Sequence, residues 1–194
     1  MIRNKDRSGW FGASDTSMIM GNWKTKTFEK WWLEKCGVSS RIFHSKAMQT
    51  GTHLEHRILD HLGIKRRDRQ IRQRLLRLRV NLDGETPEEI IEVKTHSSET
   101  FKVSKAYWQQ CQVEMFASGL YFCKQKKCRI VAYRVLPEDH KNYFLPIVPE
   151  RISIYPICYD QDWILNQYLP RLRYLKKCLK RGSWPDVENI SNRS

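Results

Sequence analysis

The hydrophobic period of this chain switches from about 3.6 to about 2 near residue 76, and that switch limits the fold more than any other feature of the sequence. Upstream, Phe28, Trp31, Trp32 and Leu33 gather on one side of a helical repeat, and Leu54, Ile58 and Leu62 recur four positions apart. At "RLRVNLDG", Leu76, Leu78, Val80 and Leu82 instead alternate with Arg77, Arg79, Asn81 and Asp83. Side chains alternate faces along a strand, so this is a half-buried strand whose polar side ends in an aspartate. "TPEE" has turn chemistry, and "EIIEVKT" (89–95) follows as the expected antiparallel partner.

Start and stop signals place the remaining elements. A short helix is expected over 14–21, with Ser14 as N-cap and Gly21 as stop, and a second over 25–37, ended by Gly37. A third spans 46–62, before Gly63, and a fourth spans 104–118, capped by Ser104. "LYFCKQKKCRIVAYRVL" reads as two strands around a basic turn, and more strand is expected through "YFLPIVPERISIYPI". The last helix covers 160–182, with Pro170 expected to kink it. The order α-α-α-β-β-α-β-β-α implies an α/β or α+β fold with a mixed β-sheet flanked by helices. At 194 residues the chain suits one domain, expected over 1–182, with a flexible tail over 183–194.

The chain carries a net charge of +14. Such an excess favours polyanions, nucleic acid before anionic membrane. No apolar run approaches the ~18 residues of a membrane span, and no basic amphipathic helix with a broad apolar face supports a membrane surface. The N-terminus has no apolar segment behind its basic residues, so no signal peptide is expected. The six cysteines are scattered, which suits reduced thiols in a cytosol rather than a zinc or iron–sulfur cluster.

Against that basic background "NLDGETPEEIIEVK" (81–94) concentrates Asp83, Glu85, Glu88, Glu89 and Glu92, followed by Lys94. Alternation points Glu92 and Lys94 one way and Ile91 and Val93 the other. If the two strands pair, Asp83 shares a groove with Glu92 and Lys94. Converging carboxylates repel unless a cation lies between them, and hard oxygen donors suit Mg²⁺ or Mn²⁺. A neighbouring lysine can orient or deprotonate a water. That set serves metal-dependent hydrolysis of a phosphodiester. A solvated acidic turn followed by an ordinary exposed strand fits the stretch equally well, with Glu85, Glu88 and Glu89 in water.

The wider context carries a resemblance. Asp83 followed by Glu92-Val93-Lys94 resembles the D-(x)n-E-x-K core of PD-(D/E)XK nucleases, with Leu82 where a proline is usual. "GTHLEHRIL" looks like their helical G-x-x-x-E motif, and "AYWQQCQVEMF" like the glutamine helix of the RecB-like and lambda exonuclease branch. "FGASDTSMIMG" followed by "TFEKWWLEKCG" resembles the opening of YqaJ-like phage recombination exonucleases. The resemblance covers about residues 7 to 120 and implies a restriction-endonuclease-like core. It implies that Asp83, Glu92, the Val93 backbone carbonyl and Glu55 hold the metal, and that Lys94 positions and activates the attacking water. Gln110 and Gln112 would lie near the site, touching DNA or Lys94, and Ser14 and Arg7 would grip a phosphate. Taken alone, Ser14 is equally a plain N-cap, Glu55 a boundary residue, the glutamines helix surface, and His53 and His56 surface histidines.

Eight basic residues from Lys65 to Arg79 precede the site, and Arg77 and Arg79 share the face of Asp83. They read as a phosphate track, or as an edge strand protected by charge. "KQKKCR" (124–129) at a hairpin tip and "RLRYLKKCLKR" (171–181) are further candidate surfaces, and Trp10 and Phe11 either wedge an end base pair or pack in the core. The resemblance implies 5′→3′ degradation of double-stranded DNA in the cytoplasm of a bacterial host cell, a single-strand annealing protein as companion, and a ring trimer. An endonuclease of the same superfamily would cut closed circles, and a non-catalytic binding module would cut nothing.

Overall fold

The computed structural model describes residues 7–39, 46–122 and 124–186. Helices α1 (Thr16–Met20), α2 (Lys26–Lys35) and α3 (Lys46–His61) come first. Strands β1 (Arg66–Gln73), β2 (Leu78–Glu85) and β3 (Glu89–His96) follow, then α4 (Lys105–Phe122), β4 (Lys127–Arg134) and β5 (Ile152–Ile157). The chain closes with α5 (Gln161–Trp163), a π turn over Ile164–Tyr168 and α6 (Leu169–Arg181). The five strands form one mixed sheet in sequence order; β3 and β4 are parallel and the other pairs antiparallel.

Helices cover both faces of the sheet, as expected. Ile90 of β3 and Ile130 of β4 share a core with Cys111, Val113 and Met115 of α4, with the aromatic residues of α2 and with α6. Ile91, Val93, Val131 and Tyr133 look the other way, onto Leu54, Ile58 and Leu59 of α3. The expected split of β3 into an Ile91/Val93 face and a Glu92/Lys94 face is therefore present. Caps hold where the sequence put them on α4, with the Ser104 hydroxyl accepting from Tyr107 N–H at 3.2 Å, and the Thr25 hydroxyl caps α2 at 3.1 Å.

Four expectations need correction. A strand, β1, occupies 66–73, where the sequence reading placed only a basic track; in "RRDRQIRQ" Ile71 alone is buried, so no two-residue signal shows. β2 begins at Leu78, because Arg74–Leu76 forms a 3₁₀ turn closed by Arg77 at φ +51. No hairpin fills 120–136: α4 runs on to Phe122, and one strand, β4, follows it. At the C-terminus the distortion expected at Pro170 lies before it, as the π turn, since a proline offers no N–H to the preceding turn and its ring crowds the carbonyl four residues back. Of the expected tail, residues 183–186 lack helix or strand, with Asp186 N–H donating to the Tyr174 hydroxyl at 3.2 Å; residues 187–194 lie outside the described residues, as does Cys123.

Candidate active site

The site lies where β2 and β3 part. Their ladder holds only Gly84 opposite Ile91 and Glu85 opposite Ile90. At its far end β2 is paired instead with the N-terminal segment: Phe11 N–H donates to Arg77 O, and Arg79 N–H to Phe11 O, both at 2.8 Å. A cleft opens between, lined by Glu55, Asp83, Glu92, Val93, Lys94 and Gln110 together with Arg7, Trp10, Ser14 and Arg79.

A kink aims Asp83 into this gap. Leu82 lies in the core that α4 covers, whereas a Cβ on Gly84 would meet Leu59 Cδ2 of α3 at 2.7 Å. Strict alternation would keep residues 82 and 84 on one face. The slip falls opposite Asp68, which has φ +54, and it turns the Asp83 carboxylate sideways, where Oδ2 accepts from Val93 N–H at 2.9 Å. The carboxylate thus replaces a ladder partner that the splayed strand no longer supplies. The N–H and C=O of one strand residue point to the same edge, so the Val93 carbonyl also faces the opening.

Glu92 is almost fully buried, at 2% exposure. Its Oε1 accepts from Lys94 Nζ, and from Gln110 Nε2 at 2.6 Å. Its Oε2 has no partner among the described residues. Lys94 Nζ also donates to Gln110 Oε1 at 3.3 Å and stands 5.0 Å from the centre of the Tyr107 ring. Glu55 enters from α3. A Cβ on Gly51, one turn earlier, would lie 3.3 Å from the Thr95 hydroxyl, so glycine there lets α3 lie close against β3 and brings Glu55 to the cleft.

Burial and the charge of Glu92 raise both neighbouring carboxyls. Burial first, then the charges of Glu92 and Glu55, push Asp83 well above the usual carboxylate range. Burial and then Glu92 push Glu55 up to about 7. Burial works to lower Lys94, but Glu92 and Asp83 outweigh it and hold the ammonium on. The clustered oxygen donors, their mutual repulsion and the orphaned Glu92 Oε2 fit a divalent cation of the Mg²⁺ or Mn²⁺ kind.

Also lining the cleft, Arg7 Nη1 donates to the Ser14 hydroxyl at 3.3 Å. Ser14 is not an N-cap: it lies within a 3₁₀ turn, Ala13–Asp15, that leads into α1. Buried Asp15 holds this turn, accepting from Gly12 N–H at 2.7 Å, from Trp31 Nε1 at 2.9 Å and from the buried Lys35 ammonium. Sequence reading missed the Asp15–Lys35 pair; each looked like a polar residue at a helix end, and only the docking of α2 brings them together.

Several expected neighbours of the site lie elsewhere. Gln112 is fully buried on the far side of α4, donating to Cys158 O and accepting from Asp160 N–H, both at 2.7 Å. Two residues apart on a helix is more than half a turn, so Gln110 and Gln112 cannot share a face. Arg77 lies outside the cleft: it lines a smaller pocket with Lys35 and Cys36 and donates to Gly9 O at 3.3 Å. Along β1 the track is largely an edge strand, with Arg67 on Asp60 at 2.5 Å and Arg69 on Glu85 at 2.8 Å. Lys126, expected at a hairpin tip, is buried against Glu85 at 2.6 Å. Glu85 is accordingly not solvated: burial works to raise its carboxyl, but Lys126 and Arg69 hold it below its usual value. Phe11 is core, whereas Trp10 lines the cleft. His53 stacks on Tyr143 at 4.6 Å, and His56 pairs with Asp68 at 3.2 Å.

Residues 4–121 match the YqaJ-like viral recombinase domain. An alkaline exonuclease from Laribacter hongkongensis superposes with a TM-score of 0.65 at 20% identity, over 96% of this chain and 94% of that one. A phage-related exonuclease from Haemophilus somnus superposes with a TM-score of 0.61 at 16% identity, over 90% of this chain and 96% of that one. No curated protein matches in sequence. At such identities the two structures share the fold, a restriction-endonuclease-like α+β core. No described helix is long and apolar enough to cross a membrane.

Proposed function

Because this chain belongs to the YqaJ-like viral recombinase family, we propose that it is a metal-dependent exonuclease that hydrolyses phosphodiesters of double-stranded DNA, 5′→3′, in phage-type recombination. The observation that carries this reading is the cleft itself. Three carboxylates and a lysine line one cleft together with a hydrogen-bonded arginine–serine pair. Both structural relatives are exonucleases by description.

Asp83, Glu92, Glu55 and the Val93 carbonyl would hold Mg²⁺ or Mn²⁺. Such an ion supplies positive charge against a phosphate and lowers the pKa of a water that it binds. Arg7, Ser14 and Arg79, which line the same cleft, bind the phosphate. Lys94 orients the water that attacks phosphorus as the P–O bond to the leaving nucleotide breaks. Burial pushes Lys94 towards the neutral amine and Glu92 and Asp83 push it back, so it orients that water as an ammonium for as long as those carboxylates keep their charge. Gln110 holds Glu92 and Lys94 together.

Digestion of end-labelled linear duplex beside covalently closed circular duplex, with Mg²⁺ and with chelator, tests this reading. Linear DNA should be consumed from its 5′ ends only when Mg²⁺ is present, circles should survive, and Lys94→Ala should bind DNA without cutting it. Cutting of circles makes the protein an endonuclease, and intact linear DNA removes the nuclease reading altogether.

A further inference from the structure

We propose that Glu114, which lies outside the set just described, is the positioning residue that fixes the Gln110 carboxamide and, through it, the placement of Glu92 and Lys94. The proposal rests on the nuclease reading of the cleft. Gln110 and Glu114 stand four residues apart on α4, one above the other on the same face. The Gln110 amide is saturated. Its two N–H groups go to Glu92 Oε1 at 2.6 Å and Glu114 Oε1 at 2.8 Å, and its carbonyl accepts from Lys94 Nζ at 3.3 Å. A carboxamide has two N–H donors and one carbonyl, so these three partners determine which way it faces. The flipped amide would set its carbonyl against Glu92 and its N–H groups against an ammonium.

Of the three partners, Glu92 and Lys94 serve the chemistry and must also answer to metal, water and phosphate. Glu114 answers to none of these. It has no solvent exposure, its Oε2 has no partner among the described residues, and a carboxylate oxygen of Glu114 lies within 4.8 Å of the thiols of Cys111 and Cys128. A carboxyl in such a place costs stability that a leucine would not. What it provides in return is a fixed acceptor for the second Gln110 N–H, which holds the amide while its other partners change theirs.

Glu114→Leu removes the acceptor and fills the space; Glu114→Gln keeps an acceptor oxygen in place. In the full chain with Mg²⁺, Glu114→Leu should lower kcat on linear duplex by about tenfold, the scale of one lost hydrogen bond. KM for DNA should hold, and Glu114→Gln should stay within about threefold of wild type. In metal-free ¹⁵N-labelled protein, identified by its loss in Gln110→Met, the Gln110 side-chain amide should give two distinct, slowly exchanging proton signals. They should persist in Glu114→Gln and broaden or merge in Glu114→Leu. A folded Glu114→Leu protein with wild-type kcat and unchanged Gln110 signals overturns the proposal, as does a Glu114→Gln protein as impaired as Glu114→Leu. Glu114→Met serves the same comparison should Leu not fold. If the wild-type protein degrades no DNA, the nuclease reading fails on its own, and the amide signals still decide whether Glu114 holds Gln110.

Discussion

Chelated protein should lose stability as pH rises through neutrality, and Glu55 sets the window. Burial, and then the charge of Glu92, displace its carboxyl from 4.5 to about 7. Between those values the folded state keeps a proton that the unfolded chain has released. The stabilisation is therefore complete below pH 4.5, declines as pH climbs, and is gone above about pH 7. At about 1.4 kcal/mol per pH unit, the loss from Glu55 is at most about 3 kcal/mol, since one side of the cleft is open to water. For a chain of this size that is a fall in Tm of about 6–12 °C. Asp83 and Glu114 are displaced in the same direction and deepen the loss. A divalent cation binds the charged carboxylates, so Mg²⁺ should raise Tm more at about pH 8 than at about pH 5. Scanning calorimetry across this range, in chelator and in Mg²⁺, measures both effects, and Glu55→Gln should flatten the chelated profile. A chelated Tm that is level or rising over the window, or a Glu55→Gln profile as steep as wild type, would refute the account of mutually repelling carboxylates.

Lys35→Met leaves buried Asp15 without its counter-charge and should cost about 3 kcal/mol; thermal unfolding reads this, and weaker duplex binding should accompany it, because Asp15 holds the Gly12–Ser14 turn. Gln112→Ala removes the bonds to Cys158 O and Asp160 N–H and should cost about 2 kcal/mol with kcat retained below its lowered Tm, whereas Gln110→Ala should lose kcat with little change in Tm. Arg7→Ala should flatten the dependence of duplex affinity on salt by about 0.9 in the log–log slope, read from binding titrations at several salt concentrations.

The parts of the site legible in the sequence are those set by local periodicity. Glu92 and Lys94 lie on one strand, where alternation settles that they look the same way, and Asp83 is one turn away in sequence, although the kink that aims it at them is not given by alternation. Gly51 and Glu55 are one helical turn apart, so the motif carries its own geometry. Where several elements must meet, the same reasoning fails. β1 is an edge strand with one buried residue, Ile71, and its charges, which keep the edge from pairing further, also hide its period. Glu85 reads as turn composition, yet β2 runs on to it and the kink at Asp83–Gly84 turns it inward to Lys126. Taking the two glutamines as a pair put Gln112 in the site, although helical spacing already forbade it. That same spacing put Glu114 beside Gln110 in plain sight. What the sequence withheld was the burial of Glu114, which depends on β4 returning parallel to β3 beneath α4 and so on a crossover that no local pattern encodes.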